Sequence, residues 1–241
     1  SDPGMDIAGD LDVRWFGSLD DWTSANVQTL AGRYHTTSDN RQWSLRVTTS
    51  GQVIMYYSPD GVAYPSKSSS VFLSFADGEY AGVRCTINAT TGDGTFYTST
   101  NDGATWDQLG DVKTGSGPVT FFDADTELAI GAYNLGTVTG LKGTVSRVEI
   151  LDGTRVVANP DFTRAPVGVD SAGNPWEVHG DETSYVCAPS SNLNGYAKLD
   201  GSNQPFTGDV QIGEAVGAST TMDVPDEDGA GTQELRAVTY P

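Results

Sequence analysis

"RQWSLRVTTSGQVIMYYSPDG", Arg41 to Gly61, is the stretch that decides the fold. Trp43, Leu45 and Val47 alternate with polar residues, Ser50-Gly51 supplies a turn, and Val53, Met55 and Tyr57 return with the same period of two. Successive side chains of a strand point to opposite faces, so this pattern predicts a β-hairpin with one apolar face. It also directs Tyr56 away from the face that carries Met55 and Tyr57.

The same reading extends in both directions. Upstream, Leu11, Val13 and Trp15 alternate with Asp12 and Arg14, and a second strand is expected near Gln28–His35. Downstream, strands are expected in "SSVFLSF" (from Ser69), "GEYAGVRCTINA" (from Gly78), "TELAIGA" (from Thr126), "GTVSRVEILDG" (from Gly143) and "TRVVANPDF" (from Thr154). "GTFYTSTNDGATWDQLGD" (from Gly94) reads as a second hairpin with Asn101-Asp102-Gly103 at its tip. No helical periodicity persists anywhere, and turn signals recur every 8–12 residues or so, the rhythm of an antiparallel sandwich or barrel. The expectation is an all-β, antiparallel two-sheet jelly-roll sandwich over residues 1–187, with Trp176 and Val178 closing it. A smaller β/loop extension over 188–241 begins where Gly, Asn, Ser and Pro become dense, and ends in the strand "QELRAVTY".

Composition narrows the function. Thirty-two acidic against 13 basic residues give a formal net charge of −19, which repels phosphate backbones and anionic lipid surfaces. Neither nucleic acid nor membrane is expected as a partner, and no apolar run approaches the ~20 residues needed to span a bilayer. The chain begins at Ser1 without the charged start and apolar stretch of a signal peptide.

Catalytic patterns are missing. There is no Gly-x-Ser-x-Gly elbow, no His-Glu-x-x-His, and no Glu-x-Asp-x-x-Glu strand setting two carboxylates on one face for glycoside cleavage. "STNDGATW", Ser99 to Trp106, nearly matches the Asp-box loop of sialidases, with Asn101 where that motif has Asp. One good copy, few arginines and no repeated blade period make an Asp-box glycosidase the weaker alternative. Ser99, Asn101, Asp102, Gly103 and Trp106 are therefore expected to build a turn: Asn101 or Asp102 caps it, Gly103 takes positive φ, and Trp106 anchors it. No enzyme is expected.

Binding candidates remain. Trp22, in the loop "LDDWTSA", and Tyr56 and Tyr64, around "MYYSPDGVAY", are the aromatic residues expected to be exposed for stacking on a glycan. Asp93, Asp123 and Asp125 lie in acidic turns that supply hard oxygen ligands, which makes calcium the one candidate cofactor. Cys85 and Cys187 either pair in a long-range disulfide or stay as two buried thiols.

Taken together, "GDLDVRWFGSLDDWTS", "QTLAGRY", the Arg41–Gly61 hairpin, "GTFYTSTNDGATWDQLG" and "KGTVSRVEILDGTRVVANPDFT" leading to "NPWEVHG" resemble a laminin-G-like (concanavalin A-like) jelly-roll domain. In particular they are similar to the version found in tail and surface proteins of actinobacterial phages, and the resemblance spans roughly Met5 to Gly180. It implies a non-enzymatic virion surface module, on tail or capsid. Such a module attaches to host-surface glycans, or decorates the particle as a homo-oligomer, often a trimer, in contact with other virion proteins. The alternative is a secreted carbohydrate-binding or adhesion module, placed outside the cell. "EYAGVRCTI" departs from the Trp-His-His-Val-Ala pattern of many relatives, and no rim calcium ligand matches residue by residue.

Overall fold

The computed structural model describes residues 3–36, 39–134, 140–163, 169–176, 223–225 and 232–234. The chain divides into two compact units: Ser1–Phe162 with Pro166–Gly180, and Thr163–Ala165 with Asp181–Pro241.

After a 3-10 turn at Pro3–Met5, the first unit is built of β1 (Leu11–Leu19), β2 (Gln28–His35), β3 (Asn40–Val47), β4 (Val53–Tyr57) and β5 (Ser66–Ser68). It continues with β6 (Tyr80–Ile87), β7 (Gly94–Ser99), β8 (Asp107–Gln108), β9 (Ala129–Ile130), β10 (Gly143–Asp152) and β11 (Arg155–Ala158). One sheet has six strands in the order β11-β10-β1-β6-β7-β8, and the other has five in the order β5-β4-β3-β2-β9. All pairings are antiparallel. Chain-neighbouring β1 and β2 lie in different sheets, as do β5 and β6, β8 and β9, and β9 and β10. That repeated crossing makes the unit a jelly-roll sandwich.

The core forms between the two inner faces. Leu11, Val13, Trp15, Val83, Cys85, Ile87, Phe96, Val148 and Ile150 come from the six-stranded sheet, and Leu30, Trp43, Leu45, Val47, Val53 and Met55 from the five-stranded one. The hairpin that opened the sequence reading sits in its center. Trp43↔Tyr57, Leu45↔Met55 and Val47↔Val53 face one another across β3 and β4, while Ser44↔Tyr56 and Arg46↔Ile54 fall on the other face. Thr48 and Gly51 close the turn, with Gly51 N donating to Thr48 O at 2.9 Å.

Two expected strands change. "SSVFLSF" is not a strand: the ladder to β4 ends at Ser68, where the Gln52 amide takes over the carbonyl of Ser69 at 2.8 Å. Leu73 then turns into the core while Val71 and Phe72 face solvent. "TELAIGA" contributes only Ala129–Ile130, because only these residues pair with Ala31 and Gly32 of β2. Trp176 packs against the core, whereas Val178 lies outside the described residues. The second unit contains a short antiparallel pair, β12 (Asp223–Pro225) and β13 (Thr232–Glu234); the rest of the expected last strand lies outside the described residues.

Candidate functional site

The outward positions of the five-stranded sheet hold a cluster of tyrosine rings around one arginine. Arg46 of β3 lies 5.1 Å from the ring of Tyr56 on β4, 4.9 Å from Tyr34 on β2 and 4.2 Å from Tyr133, which follows β9. Tyr34 also meets Tyr56 at 6.4 Å and Tyr133 edge-on at 6.2 Å. Alternation along the hairpin produces this arrangement, since Ser44, Arg46 and Tyr56 must face out once Trp43, Leu45 and Met55 face in. Tyr34 forms the floor at 7% exposure, and Tyr56 and Tyr133 are half-buried walls.

Tyr64 borders this cluster and is 61% exposed. Its loop is held by Arg41, which donates to the carbonyls of Gly61 (3.0 Å), Val62 (2.9 Å) and Thr36 (2.9 Å) and pairs with Asp39 at 3.0 Å. The guanidinium of Arg41 lies 5.7 Å from the Tyr64 ring. Asp60 caps the same loop by accepting from the backbone N–H of Val62 and Ala63, and those two bonds hold its carboxyl below the ordinary value. Burial raises the Tyr34 hydroxyl above its ordinary pKa, so it stays protonated and can donate. Burial lowers the pKa of Arg46, an effect partly offset by Tyr34, Tyr133 and Tyr56.

Trp22 is elsewhere. The loop folds back instead of projecting, and Trp22 is 1% exposed, set edge-on to Trp15 at 6.2 Å and against Phe75 at 5.1 Å. Its backbone N–H is tied to Asp77 at 3.1 Å. It is therefore a core residue and is unavailable to a ligand, contrary to the sequence expectation.

The Ser99–Trp106 loop closes on itself. Ser99 Oγ donates to Asn101 Oδ1 at 2.9 Å and accepts from Gly103 N at 2.9 Å, and Asn101 Oδ1 accepts from Thr105 N at 3.0 Å. Gly103 has φ +80° and Asp102 φ +57°. Trp106 packs on Phe16 at 5.5 Å. The loop overhangs a hollow of about 550 Å³ on the six-stranded sheet, lined also by Arg14, Arg147, Glu149 and Asp161. The charges there already serve one another: Asp12 bridges Arg14 (2.7 Å) and Arg84 (2.8 Å), Arg14 reaches Glu149 at 2.6 Å, and Arg147 pairs with Asp102 at 3.2 Å.

The acidic turns do not converge. Asp93 accepts from Gly115 N at 2.6 Å and lies near Thr91, contacts that lower its pKa. The Asp123 carboxyl is held above its ordinary value by a hydrogen bond to Asp6 and by that residue's charge. Among the described residues, no three His, Cys, Asp or Glu side chains are grouped as metal ligands would be. Cys85 is a buried free thiol whose pKa is pushed well up by burial, while Cys187 lies outside the described residues.

The sequence singled out Tyr56 and Tyr64; it did not single out Tyr34, Tyr133 and Arg46, which the structure groups with Tyr56. For Arg46 the signal was present, since it occupies an outward position on the strand facing Tyr56. Tyr34 and Tyr133 are brought together only by the β2–β9 pairing, across about 100 residues of sequence.

No family model matches the sequence, and no curated protein matches it. Among solved structures, the chain is similar to the CBM40 of the Ruminococcus gnavus IT-sialidase bound to α2,3-sialyllactose (14% identity, 63% of this chain, 79% of that one, TM-score 0.45). It is also similar to domains LG4-5 of the mouse laminin α1 chain (17% identity, 64% and 39%, TM-score 0.41). A third similar structure is the heptameric SAP-like pentraxin of Limulus polyphemus (14% identity, 61% and 67%, TM-score 0.42). Identities of this order transfer no site residue to this chain.

Proposed function

We propose that the chain is a non-catalytic carbohydrate-binding or adhesion module that takes a saccharide on the tyrosine-lined face of its five-stranded sheet. The observation that carries the reading is the convergence of Tyr34, Tyr56 and Tyr133 on Arg46, with exposed Tyr64 at the border. Sugar rings offer apolar C–H faces that pack on aromatic rings, and hydroxyls that pair with planar polar groups. Tyrosine supplies both from one side chain, at low cost in conformational entropy. Rings, hydroxyls and a guanidinium are a chemistry of stacking and hydrogen bonding, which supports binding over turnover.

The module works outside the cell, secreted or displayed on a surface. Display on a phage tail or capsid is the particular setting implied by the sequence resemblance, and the same face would serve it by engaging host-surface glycan. The test is binding of the purified chain to a glycan array, with calcium and with chelator, for the native protein and Tyr56→Ala. Saturable binding that falls at least tenfold in the variant, at unchanged Tm, is expected. Absence of saccharide binding in both conditions overturns the proposal, and loss of binding in chelator alone would add a calcium requirement to it.

A further inference from the structure

We infer that the saccharide taken at this face carries a carboxylate, and that Arg46 reads it; the inference rests on the face being the saccharide site. Among the described residues, Arg14, Arg33, Arg41, Arg84, Arg147 and Arg155 each have a carboxylate within salt-bridge distance. Arg46 has none, although the chain carries 32 acidic residues against 13 basic. A guanidinium left without an acid in so acidic a protein is a place where the surface field turns locally positive.

The nitrogens of Arg46 are only partly occupied. Nε donates to Ser44 Oγ at 2.9 Å, which fixes the plane of the guanidinium. Nη2 is buried without a hydrogen-bond partner, and the polar neighbor of the group is the Tyr133 hydroxyl. Ring faces within 4.2–5.1 Å favor the cation but do not saturate its N–H groups. Arg46 as a whole keeps some exposure, and an anionic oxygen that reaches it gains a hydrogen bond charged on both partners, stronger than a neutral hydroxyl provides. Arg41 is less free, because its Nη1 and Nη2 already hold Gly61, Val62, Thr36 and Asp39 and its remaining Nε is buried.

Among the described residues a single arginine lacks a carboxylate partner, which in a protein of net charge −19 suits one carboxylate on an otherwise neutral saccharide. A densely charged polyanion would be repelled by the rest of the surface.

The experiment uses the full chain on an array of carboxylated oligosaccharides, each printed beside its neutral core. Titration calorimetry follows with aldotetrauronic acid, a glucuronate-bearing xylo-oligosaccharide, against xylotetraose, or with the best array pair. Preference for the acidic member by about tenfold is expected, from the strength of one charge-assisted bond. Arg46→Gln should bring the ratio of acidic to neutral affinity to about one, whatever it does to either affinity alone, and Arg46→Lys should restore only part of that ratio, because lysine lacks the planar fork. Weakening by salt should accompany the acidic ligand alone. Equal affinity for acidic and neutral members, with Tyr56→Ala still abolishing both, overturns the carboxylate inference and leaves the saccharide site standing. No saccharide binding at all overturns both. Binding of acidic members that is indifferent to Arg46→Gln, in a variant of native Tm, also overturns the role given to Arg46.

Discussion

Replacing Gly103 by alanine tests the architecture of the Ser99–Trp106 loop, and two separate costs can be worked out. Gly103 has φ +80°, a region that costs an L-residue about 1–2 kcal/mol. A Cβ there would also lie 2.8 Å from Phe16 Cζ and 3.0 Å from Phe16 Cε1. The Phe16 ring cannot simply step aside, because Trp106 packs on it at 5.5 Å and the Arg147 guanidinium lies 3.9 Å from its center. Forcing such a ring to shift adds about 1–3 kcal/mol, as overpacking does. The total is about 2–5 kcal/mol, which for a domain of this size lowers Tm by about 5–15 °C. Gly153→Ala is the control. Gly153 has φ +62°, but a Cβ there would meet nothing within 4 Å, so only the backbone cost applies and the loss is about 2–6 °C. Calorimetry or circular-dichroism melting of the two variants decides it. Equal losses, or no loss in Gly103→Ala, would refute the assignment of a packed loop over Phe16.

Three further outcomes follow from the same structure. Arg33 is 2% exposed and donates to Asp6 (2.7 Å) and to the carbonyls of Thr126 (3.1 Å) and Ala124. Arg33→Ala, which strands those acceptors, should cost about 3–5 kcal/mol in urea unfolding; a loss below 1 kcal/mol or so contradicts the buried network. Trp22→Ala should cost a similar ~3–5 kcal/mol by opening a cavity beside Trp15 and Phe75, yet leave saccharide affinity unchanged in the fraction that stays folded. Burial, and then the hydrogen bond to Asp102, push the Tyr80 hydroxyl up to about 12. The folded state therefore favors neutral Tyr80, so this contribution is complete below the unfolded value of about 10 and is lost as pH rises through about 12. Tyr80→Phe should flatten the loss of stability in that window, and an unchanged alkaline unfolding curve would contradict the assignment.

The strands of the sandwich were legible wherever one face is buried and the other is wet. Trp43, Leu45 and Val47 announce their face by a period of two because each inward residue is apolar and its neighbors are not, and Val53 and Met55 keep the period although Ile54 between them is apolar. "SSVFLSF" failed by the same rule: a run of apolar residues resembles a strand whether or not a ladder partner exists, and β4 stops pairing at Ser68. Trp22 was misplaced because loop composition does not say whether the loop folds inward, and here Asp77 and Phe75 receive it. The tyrosine face was half legible. Tyr56 follows from alternation, whereas Tyr34 and Tyr133 converge only after β2 and β9 pair. The lack of a carboxylate at Arg46 is a property of three-dimensional neighborhood, and sequence spacing cannot encode it.

The most direct test of the account is to map the bound saccharide on the isotopically labeled protein by NMR, using a saccharide that binds on the array. The account predicts shift changes centered on Tyr34, Tyr56, Tyr64, Tyr133 and Arg46, with the Trp106 and Arg147 signals unmoved. Changes centered on Trp106, Arg147 and Asn101 instead would move the site to the six-stranded sheet and contradict the central claim.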